Sequence, residues 1–459
     1  MTTVAETIAA WLGSVEAGAI PADAAETARR LWLDVAGLCV AARREQYVTA
    51  TLATADPGAC TAIGHAGAFD PFGAALVNGT AAHGEDYDDT FEGGPVHSGA
   101  VIIPAVLAAC ERDGLGGDRL LAGVVTGVEL LCRLSLVAPK ATHNAGFHPT
   151  AVFGALAAAG AVGAALRLPP PAIASALGIA GSMASGIIEY LSDGTWTKRM
   201  HAGWAAQSGL RAALMARGGF VGPRTVFEGP NGLYRAFAPS AAPDFAPLVE
   251  GLGRRWVMPS VAFKPYACGT MTQPFIDCAV KLAAGGVRAS DVRDIVCEVA
   301  EGTVPRLWEP LASKHRPPTP YAAKFSTPFC MAVGFLDGTA GLAQFTESRI
   351  HDPEVLALAG KIRYEINPRD EYPRRFTGHL RATLNSPSTS LGAGAVKEYR
   401  QPFMRGGADA PLSTAELEAK FLGNARHGGW TRERAERVRD LSRALFVQSS
   451  LEVLRECRG

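Results

Sequence analysis

The sequence lacks any block of like charge. Its 44 Lys and Arg balance 44 Asp and Glu, so the formal net charge at neutral pH is zero. Such a chain carries no electrostatic footprint for nucleic acid or an anionic membrane, and an anionic small molecule has to be held by a few local cations. Ordered cysteine spacing is also missing. The nine cysteines are scattered, mostly in apolar runs, without a C-x-x-C pair. That excludes the patterns of a disulfide framework, a zinc site or an iron–sulfur site, and points to reduced core thiols in a cytosolic protein. The beginning, Met1-Thr2-Thr3-Val4-Ala5-Glu6, places an acid early and lacks the basic-then-apolar order of a signal peptide. A cytoplasmic location is therefore expected. The longest apolar run, Ala151 to Leu166, is too short and too rich in Ala and Gly for a membrane span. A G-x-G-x-x-G element after a strand, a P-loop and an H-E-x-x-H helix are all absent.

What is present is a long, apolar chain. At 459 residues, 48% of them hydrophobic, two domains are expected. From about residue 5 to 260 the pattern is repeatedly helical. Pro21 and Asp23 open a helix whose apolar face runs through Leu31, Val35 and Leu38. Further helices are expected near 98–113, 117–138, 149–167, 171–190 and 200–218, several apolar all round, as in a buried bundle. After Lys264 the character changes. Residues 292–299, 361–366 and 379–384 alternate like half-buried strands, with helices around 273–285 and 327–345. The tail from Ser413 to Cys457 is helical again. The expected fold is mainly α with an α+β second domain: helical residues 1–267, an α+β domain over 268–400, and 401–459 returning to the helical domain.

Four clusters carry candidate chemistry. The densest runs from His83 through Glu85, Asp86, Asp88, Asp89 and Thr90 to His97. Carboxylates this close need cations or donors nearby, so shifted pKa values are expected. A solvated acidic loop capping the next helix is the bland alternative, and a metal site a third reading without regular ligand spacing. The second cluster, His143-Asn144-Ala145-Gly146-Phe147-His148-Pro149-Thr150, opens the Ala-rich helix, whose N-terminal N–H groups suit a carboxylate. Equally, a His before a Pro at a helix start is an ordinary structural feature. In the third, Lys198 and His201 are three residues apart on one helical face, like an anion clamp or like a charged helix end. The fourth, Phe263-Lys264-Pro265-Tyr266-Ala267-Cys268-Gly269, sits where composition changes, so Lys264 is placed near an interdomain cleft. Cys268 has no evident local base and reads as a structural or pocket-lining thiol.

Together these strings resemble the MmgE/PrpD family, which includes 2-methylcitrate dehydratases, cis-aconitate decarboxylases and iminodisuccinate epimerases. The resemblance rests on Asn78-Gly79 before His83, Asp86-x-Asp88-Asp89-Thr90, Val96-His97-x-Gly99-Ala100, Gly146-Phe147-His148-Pro149-Thr150, Thr197-Lys198-x-x-His201-x-Gly203, Phe263-Lys264-Pro265-Tyr266 and Lys324-Phe325-Ser326. It spans nearly the whole chain. It implies a large helical domain built from both chain ends, an inserted α+β lid, a homodimer, and catalysis without metal or organic cofactor between the domains. By motif position, Asp86, His97, His148, Lys198 and Lys264 are the expected catalytic residues. Thr90, His201, Tyr266, Cys268 and Gln273 are expected around the substrate. One departure stands out: many members carry Thr-His-Pro where this chain has Thr272-Gln273-Pro274. Gln is neither acid nor base at neutral pH.

The resemblance implies a proton-transfer lyase acting on a small di- or tricarboxylic acid. Lys198, Lys264 and the helix start near His148 would hold carboxylates, and His97 or His148 would move the proton with Asp86 orienting or protonating. Dehydration of a hydroxy-tricarboxylate such as 2-methylcitrate is the first expectation, with epimerisation or decarboxylation close behind. A non-catalytic carboxylate-binding protein on the same scaffold is the reading from another class, and a metal-dependent hydrolase a third.

Overall fold

The computed structural model describes residues 2–372, 374–385 and 394–459. The chain divides into two compact units. The first comprises the residues up to Gly84, then Asp88–Val261 and Ser413–Gly459. The second comprises Glu85–Tyr87 and Ala262–Leu412. The fold is mainly α with an α+β part.

The first unit is a helical assembly. Its principal helices are α1 (Ala22–Ala42), α2 (Pro71–His83), α3 (Gly99–Asp113), α4 (Gly117–Leu136), α5 (Pro149–Ala165), α6 (Pro170–Met183) and α7 (Thr197–Arg217). Every residue of α5 is buried. It starts on Pro149, whose missing N–H is no loss in the first turn, and it packs against α3, α4, α6 and α7. Its lack of a polar face is the consequence of being surrounded. Among the described residues no helix is long and apolar enough to cross a membrane. Helices α8 (Gln273–Ala284) and α9 (Thr327–Asp337) belong to the second unit, while α10 (Thr414–His427) and α11 (Arg432–Ala444) belong to the first. α10 packs on α1, where the buried Lys420 Nζ lies 2.7 Å from Asp34 Oδ1.

Two helices are shorter than their apolar patterns suggest. α6 stops at Met183 rather than near 190, because the chain turns through Gly186 (φ 116°) and its carbonyl accepts the His148 N–H at 2.8 Å. α9 stops at Asp337, where Gly338 takes the left-handed conformation (φ 69°) that ends a helix cheaply only for glycine. The tail, expected to be helical throughout, passes after α11 into short 3-10 segments, Leu445–Val447 and Leu451–Cys457.

The second unit carries a four-stranded sheet of β1 (Val292–Val299), β2 (Ile362–Ile366), β3 (Gly378–Leu384) and β4 (Val396–Gln401), in the order β2-β1-β3-β4. β1 pairs parallel with β2 and antiparallel with β3, and β3 antiparallel with β4. α8 and α9 pack together, and α8 covers β3 and β4. β4 is absent from the sequence reading. It is a charged edge strand, Val-Lys-Glu-Tyr-Arg-Gln, without a buried position to mark its register.

In the first unit, α2 and α7 cross at Gly79 and Gly203. A Cβ on Gly79 would lie 2.5 Å from the Gly203 Cα, and one on Gly203 would lie 2.1 Å from the Leu76 carbonyl oxygen. Backbone this close leaves no room for a methyl group. Gly203→Ala should therefore destabilise the chain by roughly 1–3 kcal/mol in denaturant unfolding. Gly423→Ala in α10, where a new Cβ meets nothing within 4 Å, should instead stabilise it by about 0.5–1 kcal/mol. Equal effects of the two substitutions would contradict the close crossing.

Candidate active site

In the first unit, four helix ends deliver four imidazoles to one place. His83 is the last residue of α2, His97 lies two residues before α3, His148 is the N-cap of α5, and His201 follows Lys198 at the start of α7. Ring centroids are 4.8 Å apart for His83 and His97, 5.5 Å for His83 and His148, and 5.3 Å for His148 and His201. The Nδ1 atoms of His148 and His201 are 3.1 Å apart, so one must donate and the other accept. All four rings are buried, as are Lys198, Asp88, Asp89 and Thr90.

Asp89 organises the entry to α3. Its carboxylate accepts from Ser98 N at 2.9 Å, Ser98 Oγ at 2.7 Å and Gly99 N at 2.9 Å, using the N–H groups that a helix start leaves open. Its carbonyl oxygen lies 2.7 Å from His97 Nδ1. A carbonyl only accepts, so His97 carries its proton on Nδ1 and presents Nε2 as the basic nitrogen. The His97 backbone N–H donates to Thr150 Oγ1 at 3.2 Å, tying the start of α3 to the start of α5. Asp88 Oδ2 lies 2.7 Å from His83 Nδ1 and 3.4 Å from His97 Nδ1.

Burial and like charge decide the electrostatics. Burial, followed by the neighbouring His83, His201, Lys198 and His97, holds the His148 imidazole well below its ordinary pKa. The same burial, with His83 and Lys198, brings His201 down to about 4. Asp89 is pushed up to about 7 by burial and then by the Asp88 charge, against the opposing bond from Ser98. At neutral pH His148 and His201 are therefore neutral bases beside a lysine.

His83, Asp88 and His97 are donor types that a metal ion uses, and their ligand atoms lie within 4.8 Å of one another. As they stand, His97 Nδ1 faces the Asp89 carbonyl and His83 Nδ1 faces Asp88, so hydrogen bonds link the trio.

The second unit holds the other expected residues. Lys264 is buried and its Nζ donates to the Asp86 carbonyl oxygen at 2.9 Å. Asp86 adopts a left-handed backbone (φ 53°), a strained choice for an aspartate. Its carboxylate accepts from Tyr321 Oη at 2.8 Å. Next to it, Lys324 Nζ bonds the Glu85 carbonyl at 2.8 Å and its carboxylate at 2.7 Å. Tyr266, Cys268 and Gln273 form a separate knot. The Gln273 amide donates to the carbonyls of Tyr266 (3.0 Å) and Cys268 (3.1 Å) and accepts from Tyr266 N at 3.2 Å. Tyr266 Oη donates to Asp277 at 2.7 Å, and Arg405 donates to both. The Gln273 amide is thus taken up by the loop around it, and the Tyr266 hydroxyl by Asp277 and Arg405.

Sequence reasoning brought forward Asp86, His97, His148, Lys198, His201 and Lys264, placed His83, Asp88 and Asp89 in the densest polar cluster without a role, and did not name Tyr321. Proximity alone does not say which groups of that cluster meet. Tyr321 has only its place three residues before the Lys324-Phe325-Ser326 string.

The family model described as the MmgE/PrpD N-terminal domain matches residues 6–246, and that of the MmgE/PrpD C-terminal domain matches 266–445. The chain belongs to the MmgE/PrpD family. It is similar to a cis-aconitate decarboxylase of Aspergillus terreus, 32% identical over 381 residues that cover 77% of this chain and 76% of the relative. It is also similar to the cis-aconitate decarboxylase of Homo sapiens, at 30% identity covering 77% and 73%. A cis-aconitate decarboxylase-like protein of Aspergillus oryzae, 26% identical, covers 90% of this chain and 88% of its own.

The depressed His201 pKa makes this group's own contribution to stability depend on acid. The unfolded chain takes up the His201 proton below about pH 6.5, whereas the folded chain resists until about 4. Stability contributed by this group is thus complete above 6.5 and lost as pH falls towards 4, by roughly 3 kcal/mol. Because the raised Asp89 pulls stability the other way over the same range, the test is the difference: in urea unfolding between pH 6.5 and 4, wild type should lose stability relative to His201→Asn as pH falls. Identical pH slopes for both proteins would contradict it.

Proposed function

We propose that this MmgE/PrpD member is a cofactor-independent lyase that removes carbon dioxide from a small tricarboxylic acid of the cis-aconitate kind. The observation that supports it is the set of buried, neutral imidazoles beside Lys198 at the starts of α5 and α7. The Lys198 ammonium and the positive dipole ends of these two helices are suited to substrate carboxylates. A polyanion arriving there reverses the local sign of charge, which raises imidazole proton affinity, so the proton enters together with the substrate.

In the reaction, the carbon–carbon bond to the departing carboxylate breaks. Its electron pair moves through the adjacent double bond to the carbon that receives a proton. His97 or His148 delivers that proton and is reloaded from solvent, so one proton is consumed for each carbon dioxide released. Fixed positive charge near the developing anion is the main stabilising influence. Asp86 and Lys264, joined by one hydrogen bond and supported by Tyr321, are retained as catalytic candidates on their family motif positions. Thr90 and His201 are retained as substrate-side residues. Tyr266, Cys268 and Gln273 are assigned to holding the loop after Lys264, so Gln in place of the frequent His bears on loop structure.

Carbon dioxide loss moves ahead of water loss because the relatives from Aspergillus terreus and Homo sapiens are both named cis-aconitate decarboxylases. The test is NMR in heavy water with cis-aconitate, 2-methylcitrate, citrate and iminodisuccinate. Cis-aconitate should yield carbon dioxide and a dicarboxylic acid bearing one deuterium on carbon. Lys198→Met and His148→Gln, checked for folding by circular dichroism, should each lose at least about 100-fold in turnover. Water loss from 2-methylcitrate without decarboxylation would reassign the reaction, and undiminished activity in both variants would reject the site.

A further inference from the structure

Asp88 and His83 have no role in the mechanism above, yet they lie at its centre. His83 is 1% exposed and Asp88 0%. The His83 ring stacks on His148 at an interplanar angle of 22° and lies tilted against His97. One carboxylate oxygen of Asp88 reaches both His83 Nδ1 and His97 Nδ1. His83 Nε2 makes no hydrogen bond among the described residues.

We propose that Asp88 and His83 form a positioning dyad, in which Asp88 fixes His83 through its Nδ1 proton and sets its charge 3.4 Å from His97 Nδ1, and His83 fixes the plane of His148. The proposal rests on the reading of His97 and His148 as the proton-transfer groups. Asp88 and Asp89 divide the work: the Asp89 carbonyl and the Asp88 carboxylate both face His97 Nδ1, at 2.7 and 3.4 Å. With Nδ1 so held, the lone pair on His97 can only be at Nε2. An acceptor at Nδ1 that selects the imidazole tautomer and ring orientation is a general device for supplying a competent base. His83 itself is enclosed, with its Nδ1 on Asp88 and one face on His148, so it acts through its neighbours. The ionisable groups around it are His97, His148, His201, Lys198, Asp88 and Asp89, and their joint charge is what an altered dyad would redistribute.

The experiment uses the full chain, labelled with ¹⁵N-histidine and free of substrate. The wild type should show His83 and His97 protonated at Nδ1, with His97 Nε2 bearing the lone pair. Asp88→Asn keeps the shape but not the charge, and should leave His83 as a tautomer mixture. With substrate, kcat should fall by about 10- to 100-fold, as for loss of a partner that orients a working histidine, while KM stays within about threefold and the pH profile of kcat/KM moves. His83→Gln should act in the same direction. A folded Asp88→Asn protein with wild-type tautomers, kcat and pH profile overturns the dyad. So does a wild-type spectrum with the His97 proton on Nε2. If none of the acids is turned over, the proposed reaction fails, and the spectra still decide the dyad. If Asp88→Asn does not fold, the wild-type spectrum and His83→Gln decide it.

Discussion

Two adjacent carboxylates, Asp88 and Asp89, are withdrawn from water in the first unit, and the surrounding chemistry follows from having to accommodate them. A buried carboxylate is tolerated only with donors or positive charge around it. Asp89 obtains its donors from the start of α3, and Asp88 takes one from His83 Nδ1 with the His97 ring 3.4 Å away. Because the same dipeptide also offers a carbonyl to His97, solving the burial problem sets the helix start and the imidazole tautomer together. The elevated Asp89 and the depressed His148 are two sides of one crowded, poorly hydrated place.

Crowding of that degree needs helices that approach closely. α2 and α7 meet backbone to backbone at Gly79 and Gly203, which lets the end of α2 and the start of α7 bring His83, Lys198 and His201 together. α5 supplies His148 at its N-cap and is enclosed along its whole length, so its end is held rigidly. Small residues here are therefore functional at one remove: they determine the distance between rings that they do not touch.

The second unit shows how a family position can change meaning. Gln273 stands where many members have His, and its amide is entirely engaged with the backbone around Tyr266 and Cys268. The neighbouring Tyr266–Asp277–Arg405 group ties this loop to α8 and to Arg405, 128 positions beyond Asp277. Asp86, with Lys264 on its carbonyl and Tyr321 on its carboxylate, is different, since it carries a strained left-handed backbone and joins residues 178 and 235 positions away. A sequence shows that a polar residue follows a lysine; it does not show whether its polar atoms are already satisfied.

Much of the helical architecture was legible because apolar periodicity, Pro at helix starts and Gly at helix ends act locally, and the motif strings carried the family. Individual candidates, such as His97 before α3 and Lys198 in α7, were visible for the same reason. The charged edge strand β4, the early ends of α6 and α9, and the service of His83 and Asp88 were not. A charged strand is defined by its partner, a helix end by the chain it must meet, and a hydrogen bond between side chains by distances that spacing along the chain does not contain. Composition and local pattern determined that this chain is mainly helical and neutral, and the motif strings carried its resemblance to the MmgE/PrpD family. Only the packing of helix ends decided which nitrogen of each histidine is held, because tautomer and pKa depend on neighbours brought from distant parts of the chain.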